Sequence, residues 1–223
     1  MKKLIIILFT LLFLCSCASN KQEEVTPEPI KEKEYINEEY PEIEGECVIY
    51  KASKEDVLKM LKHGTGVVFF SWIDCPWCHR YVNNVNKACR DNGVEVLYYD
   101  IYDDRDKNTD FYKEVKELLN KPLEEENSFD SDGNTRIYVP NIYFVSNGEV
   151  LGHNNESSME SGFEENAEKY WAEIMAPSNK TREELLIENL NAWAKEVKTR
   201  KDEIDSKGCD TDSACKLWFI LNF

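Results

Sequence analysis

The chain has 223 residues, enough for one domain of ordinary size with extensions, and its apolar fraction of 42% suffices for a real core. Forty-three acidic residues against 27 basic ones leave a formal charge of −16, which argues against nucleic acid and against electrostatic docking on anionic lipid. Residues 1–16 stand apart from that core. Lys2 and Lys3 precede an apolar run from Leu4 to Leu14, the length of a signal peptide's hydrophobic region and too short for an ordinary transmembrane span. The run ends in Leu14-Cys15-Ser16-Cys17, which resembles a bacterial lipobox with Cys17 as acceptor, although Cys15 stands where Ala, Ser or Thr is commoner. The alternative is an ordinary secretory signal with two incidental cysteines. A diacylglyceryl group on Cys17 would supply two acyl chains, enough for stable anchoring, and would tether the domain outside the cytoplasmic membrane. Cleavage there removes two lysines and no acid, so the mature chain is more acidic still.

Residues 17–46 are rich in Glu, Lys and Pro and poor in apolar side chains, the composition of a flexible spacer. The domain itself is expected over residues 47–205. It opens with "SKEDVLKMLKHG", where Ser53 and Asp56 make a capping-box-like start and Val57, Leu58 and Leu61 an apolar stripe that Gly64 ends. "GVVFFSW" follows, an unbroken apolar run with the pattern of a strand buried on both faces.

Next comes "CPWCH". Proline is favoured at the first helical position, which makes Cys75 the N-cap and Pro76 residue N1. The sulfur of an N-cap cysteine faces the unpaired amides of the first turn and the positive end of the helix dipole, so its thiolate is favoured. Along "PWCHRYVNNVNKACRDNG", Cys78, Val82, Val85 and Cys89 share one face, whereas His79, Arg80, Asn83, Asn86 and Lys87 share the other. Cys75 is therefore expected at the exposed tip with Cys78 recessed behind it, the pairing that thiol–disulfide exchange requires. Trp77, expected exposed beside the dithiol, suits either a substrate-facing surface or structural packing.

Downstream, "GVEVLYYDIY" reads as a strand and "DFYKEVKELL" as a helix with Phe111, Val115, Leu118 and Leu119 on one side. "LEEENSFDSDGNTR" reads as a polar loop, and its Asp130–Thr135 stretch resembles a calcium loop too incomplete to hold the ion. "IYVPNIYFVSNGEVLGH" gives a proline, a strand over Asn141–Val145, a Ser-Asn-Gly turn and a second strand from Glu149.

This series, with its CPWC at a helix N-terminus, a later Val-Pro opening a strand and a hairpin after it, resembles the thioredoxin superfamily, particularly its extracytoplasmic thiol–disulfide oxidoreductases. The resemblance covers roughly residues 47–153. It implies an α/β fold with a central mixed β-sheet flanked by helices and a C-terminal helical extension. It further implies catalysis by Cys75 and Cys78, a cis Val139–Pro140 bond lying against the dithiol, and Val139 pairing with bound peptide. The implied partners are extracytoplasmic protein thiols and disulfides together with a redox partner, and no cofactor or metal is called for. One departure is plain. Many thioredoxins carry a buried acid six residues before the first cysteine, where this chain has Phe69, so the proton acceptor for Cys78 is unassigned. Asp74 opposes a Cys75 thiolate, and His79 and Arg80 favour it.

Three competing readings follow from the same residues. CPWCH fits covalent c-type haem attachment, yet no second axial ligand stands in a recognisable context. A zinc site would need a second ligand pair, and Cys209 and Cys215, with five residues between them, are too loosely spaced. A non-catalytic binding or scaffold lipoprotein with a structural Cys75–Cys78 disulfide is the remaining class. Of the other cysteines, Cys209 and Cys215 form the natural local disulfide. Cys89 is either a small buried hydrophobe or bonded to Cys47.

"TREELLIENLNAWAKEVKTRK" reads as a closing helix, capped by Thr181 and Glu184, with a Leu186, Leu190, Trp193 and Val197 stripe. Residues 154–180 read as an insertion and residues 206–223 as a short tail.

Overall fold

The computed structural model describes residues 32–155 and 182–206. Several expectations lie outside them: the signal segment, Cys17, the Thr181 cap, nearly all of the 154–180 insertion, and the tail with Cys209 and Cys215. In chain order the elements are β1 (Ile49–Lys51), α1 (Lys54–His63), β2 (Gly66–Ser71), α2 (Pro76–Asp91) and β3 (Val96–Asp100). Then come α3 (Tyr102–Asp106), α4 (Asp110–Leu118), α5 (Asn120–Glu125), β4 (Asn141–Ser146), β5 (Glu149–Asn154) and α6 (Arg182–Ser206).

The five strands form one mixed sheet in the order β1-β3-β2-β4-β5. All six residues of β2 are buried, as an uninterrupted apolar run requires, and β2 lies at the centre. It runs parallel to β3 and antiparallel to β4, with Phe69 level with Tyr98 on one side and Ile142 on the other. The β4–β5 hairpin turns through Asn147 and Gly148, both at positive φ (50° and 78°), the conformation that a two-residue Asn-Gly turn supplies.

Helices flank the sheet. In α1 both bonds of the Ser53–Asp56 capping box form, at 3.0 and 3.2 Å. That helix packs with α4 and against β2 and β3, whereas α2 packs on α6, which also covers β4 and β2. In α6, Leu190, Ala194 and Val197 are fully buried, and Trp193 lies over Gly152, whose missing side chain makes room for the indole.

The spacer expectation fails over its last dozen residues. Tyr35 bridges Tyr50 of β1, a 3-10 turn spans Ile36–Glu38, and Ile36 and Tyr40 are completely buried. Asn83 accepts from the Glu44 amide at 2.9 Å, and the Arg90 guanidinium donates to the Glu44 carbonyl. Asn86 binds the Val48 amide and the Glu46 carbonyl, each at 2.9 Å. A charged average concealed a few apolar side chains that find slots in the core, and Asn86, expected on the solvent side of α2, is buried by holding this strap.

Two smaller expectations also change. Leu118 is 36% exposed, because the helix turns Val115 and Leu119 inward instead. The stretch expected as a polar loop begins inside α5, which buries the first residue of that stretch, Leu123.

Candidate active site

Strand β2 ends at Ser71 and α2 begins at Pro76, so the CPWC motif occupies the helix mouth at the carboxyl end of the central strand. Cys75 is the N-cap, with extended backbone (φ −85°, ψ 111°), and its sulfur accepts from the Cys78 amide at 3.4 Å. Its own carbonyl accepts from the Cys78 and His79 amides at 3.0 and 3.2 Å, closing the first turn. On the opposite side the Val139–Pro140 peptide is cis, and the Cys75 thiol donates to the Val139 carbonyl over 3.8 Å.

Burial corrects two expectations. Cys75 is 4% exposed rather than standing free at a tip, because the Val139 loop closes over it. Trp77 is 6% exposed, its indole forming part of the apolar core instead of an open surface.

The two thiols are held in opposite senses. The Cys78 thiol donates to the Cys75 sulfur and so lowers the Cys75 pKa; burial opposes this, and the Cys78 and Trp77 amides and the His79 charge add to the lowering. Cys78 is driven well above the ordinary thiol range, first by burial and then by its bond to Cys75 and that sulfur's charge. A Ser71 hydroxyl bond and the Trp72 backbone pull Cys78 only part of the way back.

His79 has two acceptor partners. Its Nε2 lies 2.7 Å from the Ile73 carbonyl and its Nδ1 3.0 Å from a Glu42 carboxylate oxygen. Neither partner can donate while Glu42 is ionised, so both ring nitrogens must carry protons for both bonds to form. Burial disfavours the imidazolium, but Glu42 and the Ile73 carbonyl outweigh it and raise the His79 pKa. The imidazolium is thereby favoured, and its charge helps to lower the Cys75 pKa.

Below Cys78 runs a chain of hydroxyls. The Tyr40 hydroxyl lies 2.8 Å from Ser71 Oγ and 3.3 Å from the Tyr98 hydroxyl, all three side chains being buried. Phe69 is buried among aromatic rings, 6.1 Å from that of Tyr81 and 6.3 Å from that of Tyr98. Polar support for Cys78 thus comes from Ser71, not from the Phe69 position.

Sequence reasoning missed Tyr40, Glu42, Ser71 and Tyr98. The usable signal for Tyr40 was its place four residues after Ile36 inside a charged run, a small apolar spacing in an otherwise polar segment. Cys89 is fully buried, its thiol pushed up to about 12 by burial, and it is not bonded to Cys47, whose sulfur donates to the Ile49 carbonyl at 3.3 Å. Compared with known proteins, the chain matches no family model, no curated protein and no solved structure.

Proposed function

We propose that this chain is a thiol–disulfide oxidoreductase of thioredoxin-like fold, held outside the cytoplasmic membrane by lipid on Cys17. It exchanges disulfides with protein thiols and recycles through a redox partner. The observation that carries the reading is the asymmetry of one pair: Cys75 is an N-cap sulfur with a lowered pKa, and Cys78 is a fully buried thiol with a raised one. The sheet order, and a cis proline directly before β4 and against the dithiol, support the fold assignment.

In the reducing direction the Cys75 thiolate attacks one sulfur of a substrate disulfide. A new S–S bond forms to Cys75, the substrate S–S bond breaks, and one substrate thiolate departs. Cys78 then loses its proton to the departing thiolate or to solvent and attacks Cys75, releasing the second substrate thiol. The pair ends as a disulfide and the substrate as a dithiol; the reverse sequence oxidises. Ser71 assists the second step, because a hydroxyl aimed at Cys78 stabilises the thiolate that must form there. His79, when protonated, assists the first. Iron ligation by His79, which haem attachment would need, would take one ring nitrogen from its present acceptor, breaking one of the two hydrogen bonds.

The test is trapping. Cys78→Ala should accumulate mixed disulfides through Cys75, and Cys75→Ser with Cys78→Ala should accumulate none. Absence of Cys75-dependent adducts in cells, together with absent exchange in vitro, would defeat the enzymatic reading. A Cys75–Cys78 bond that resists dithiothreitol would instead indicate a binding module.

A further inference from the structure

A cavity of about 370 Å³ has walls that include Arg105, Tyr112, Lys116, Asp130 and Arg136, and of these Arg105 lies near enough to Cys75 for the two charges to interact. Three cations converge there in a chain of charge −16. Elsewhere lysines such as Lys54, Lys62 and Lys87 are matched with carboxylates. Arg105, Arg136 and Lys116 form no ion pair among the described residues, and the Nε atoms of both arginines are buried without a hydrogen-bond partner. Two guanidinium groups in one partly buried cavity repel each other and each leaves a donor unsatisfied, an arrangement that favours an anion. The one carboxylate in the wall does not answer the need. Oδ1 of Asp130 is taken by the Asp132 and Asn134 amides at 3.0 and 2.9 Å, within its own turn, Oδ2 faces the Asn134 side-chain amide at 3.5 Å, and Arg136 acts on this carboxylate only from beyond ion-pair distance.

The cavity is joined to the dithiol from two directions. Arg105 donates to the Ile137 carbonyl at 3.2 Å, and the Ile137 amide donates to the Tyr112 hydroxyl at 3.2 Å. These bonds fix the backbone two residues before Val139, whose carbonyl faces Cys75. On the other side Arg105 lies over the Tyr102 ring, 5.4 Å from its centroid, and Tyr102 stacks on Trp72 at 4.3 Å. The Trp72 carbonyl in turn accepts from the Cys75 amide at 3.0 Å.

We propose that this cavity receives a carboxylate of the disulfide substrate, held by Arg105, Arg136 and Lys116, while the substrate's S–S bond lies at Cys75. The inference rests on the redox reading above and adds a substrate class to it: disulfides flanked by carboxylates. The chemistry fits because a guanidinium presents two parallel donors to a carboxylate, and because a substrate anion would otherwise be repelled by the acidic surface.

The test compares 3,3′-dithiodipropionate, a disulfide with two carboxylates, with the neutral bis(2-hydroxyethyl) disulfide. Suberate, which has the same chain length and no disulfide, reports binding alone through the arginine Nε–H resonances. Arg136→Gln carries the test, since Arg105 also holds the Ile137 backbone. Lys116→Gln is the second variant. Wild-type protein should exchange with the dianion about tenfold faster than with the neutral compound, as one charge-assisted contact predicts. Arg136→Gln should erase that preference, leave the neutral rate unchanged and abolish the suberate shifts. Normal exchange with the neutral disulfide, but no dianion preference and no suberate shifts in wild type, would overturn the cavity's role and leave the redox reading standing. No exchange with either disulfide would overturn the redox reading. In that case suberate shifts lost in Arg136→Gln would still support the anion site, and their absence from wild type would overturn it.

Discussion

Tyr40 lies in a stretch whose composition is that of a spacer, yet it is completely buried and joined to Ser71 beneath the dithiol. Two substitutions separate what its ring and its hydroxyl contribute. Tyr40→Ala removes a buried aromatic side chain and should cost about 3–5 kcal/mol of stability, the range for deleting a large aromatic group from a core. Tyr40→Phe keeps the packing and removes only the hydroxyl. It deprives Ser71 Oγ of its 2.8 Å partner and the Tyr98 hydroxyl of a weaker one at 3.3 Å, so about 1–2 kcal/mol is expected. Urea unfolding of the reduced protein measures both. The hydroxyl has a second effect. When Ser71 directs its proton to a Cys78 thiolate, Tyr40 must donate to Ser71, so Tyr40→Phe weakens the support for that thiolate. Release of a preformed mixed disulfide should slow by about fivefold, the rate equivalent of about 1 kcal/mol, with the Cys75 attack rate unchanged. If Tyr40→Ala unfolds within about 0.5 kcal/mol of wild type, residues 35–46 are a spacer after all and the reasoning fails.

His79→Gln should raise the Cys75 pKa, read from thiolate absorbance near 240 nm; wild-type alkylation at Cys75 should inflect below the ordinary thiol range of about 8.5. An unchanged inflection in the variant would mean that the imidazolium does not act on Cys75. His153 bonds Glu126 at 2.8 Å and Glu125 at 3.1 Å, and the Glu126 bond, opposed by burial, raises its pKa. A raised folded value means that its stabilisation is complete below the unfolded pKa of about 6.5 and lost as pH rises through the folded one. Wild type should therefore lose stability above about pH 6.5 along a steeper slope than His153→Gln, which keeps only the His79 contribution; equal slopes in unfolding titrations would refute it. Gly152→Ala would set a methyl group 2.2 Å from the Trp193 indole, so a loss of about 1–3 kcal/mol from overpacking is expected, with Trp193 fluorescence reporting displacement of α6. Wild-type stability and an unshifted spectrum would contradict that packing.

The parts of this fold that were legible in the sequence are those written in local signals. Ser53 and Asp56 cap α1, the run Gly66–Ser71 is a buried strand, Pro76 starts α2, and Asn147-Gly148 turns a hairpin. Each is decided by residues within a few positions of one another. What escaped is long-range. Tyr40 meets Ser71 across 31 positions, Glu42 meets His79 across 37, and Asn86 holds Glu46 across 40. Helical periodicity assigned Asn86 and His79 to the solvent side of α2, and it could not know that a strap lies on that side and supplies their partners. Trp77 went astray for the same reason: its position next to the dithiol is local information, and the core that covers its indole is not.

The hydroxyl chain bears on why Phe69 is tolerable. A buried carboxylate beside Cys78 could accept its proton, but burying that charge is costly and ties the thiol's titration to a second group. Ser71 and Tyr40 carry no charge at neutral pH, and burial drives the Tyr40 pKa up, far from any titration that matters. Asp100, level with Ser71 across β2 and β3, gives its oxygens to the Tyr102 and Ile73 amides at 3.0 and 3.5 Å. Cys78 is thus kept protonated mainly by burial and by its bond to Cys75. In the proposed mechanism the second is relieved once Cys75 becomes part of a mixed disulfide, because the charged acceptor for the Cys78 proton is then gone, while burial stays. On the proposed function, the sulfur least ready to ionise in the resting pair would be released from one of its restraints at the step that requires it to attack.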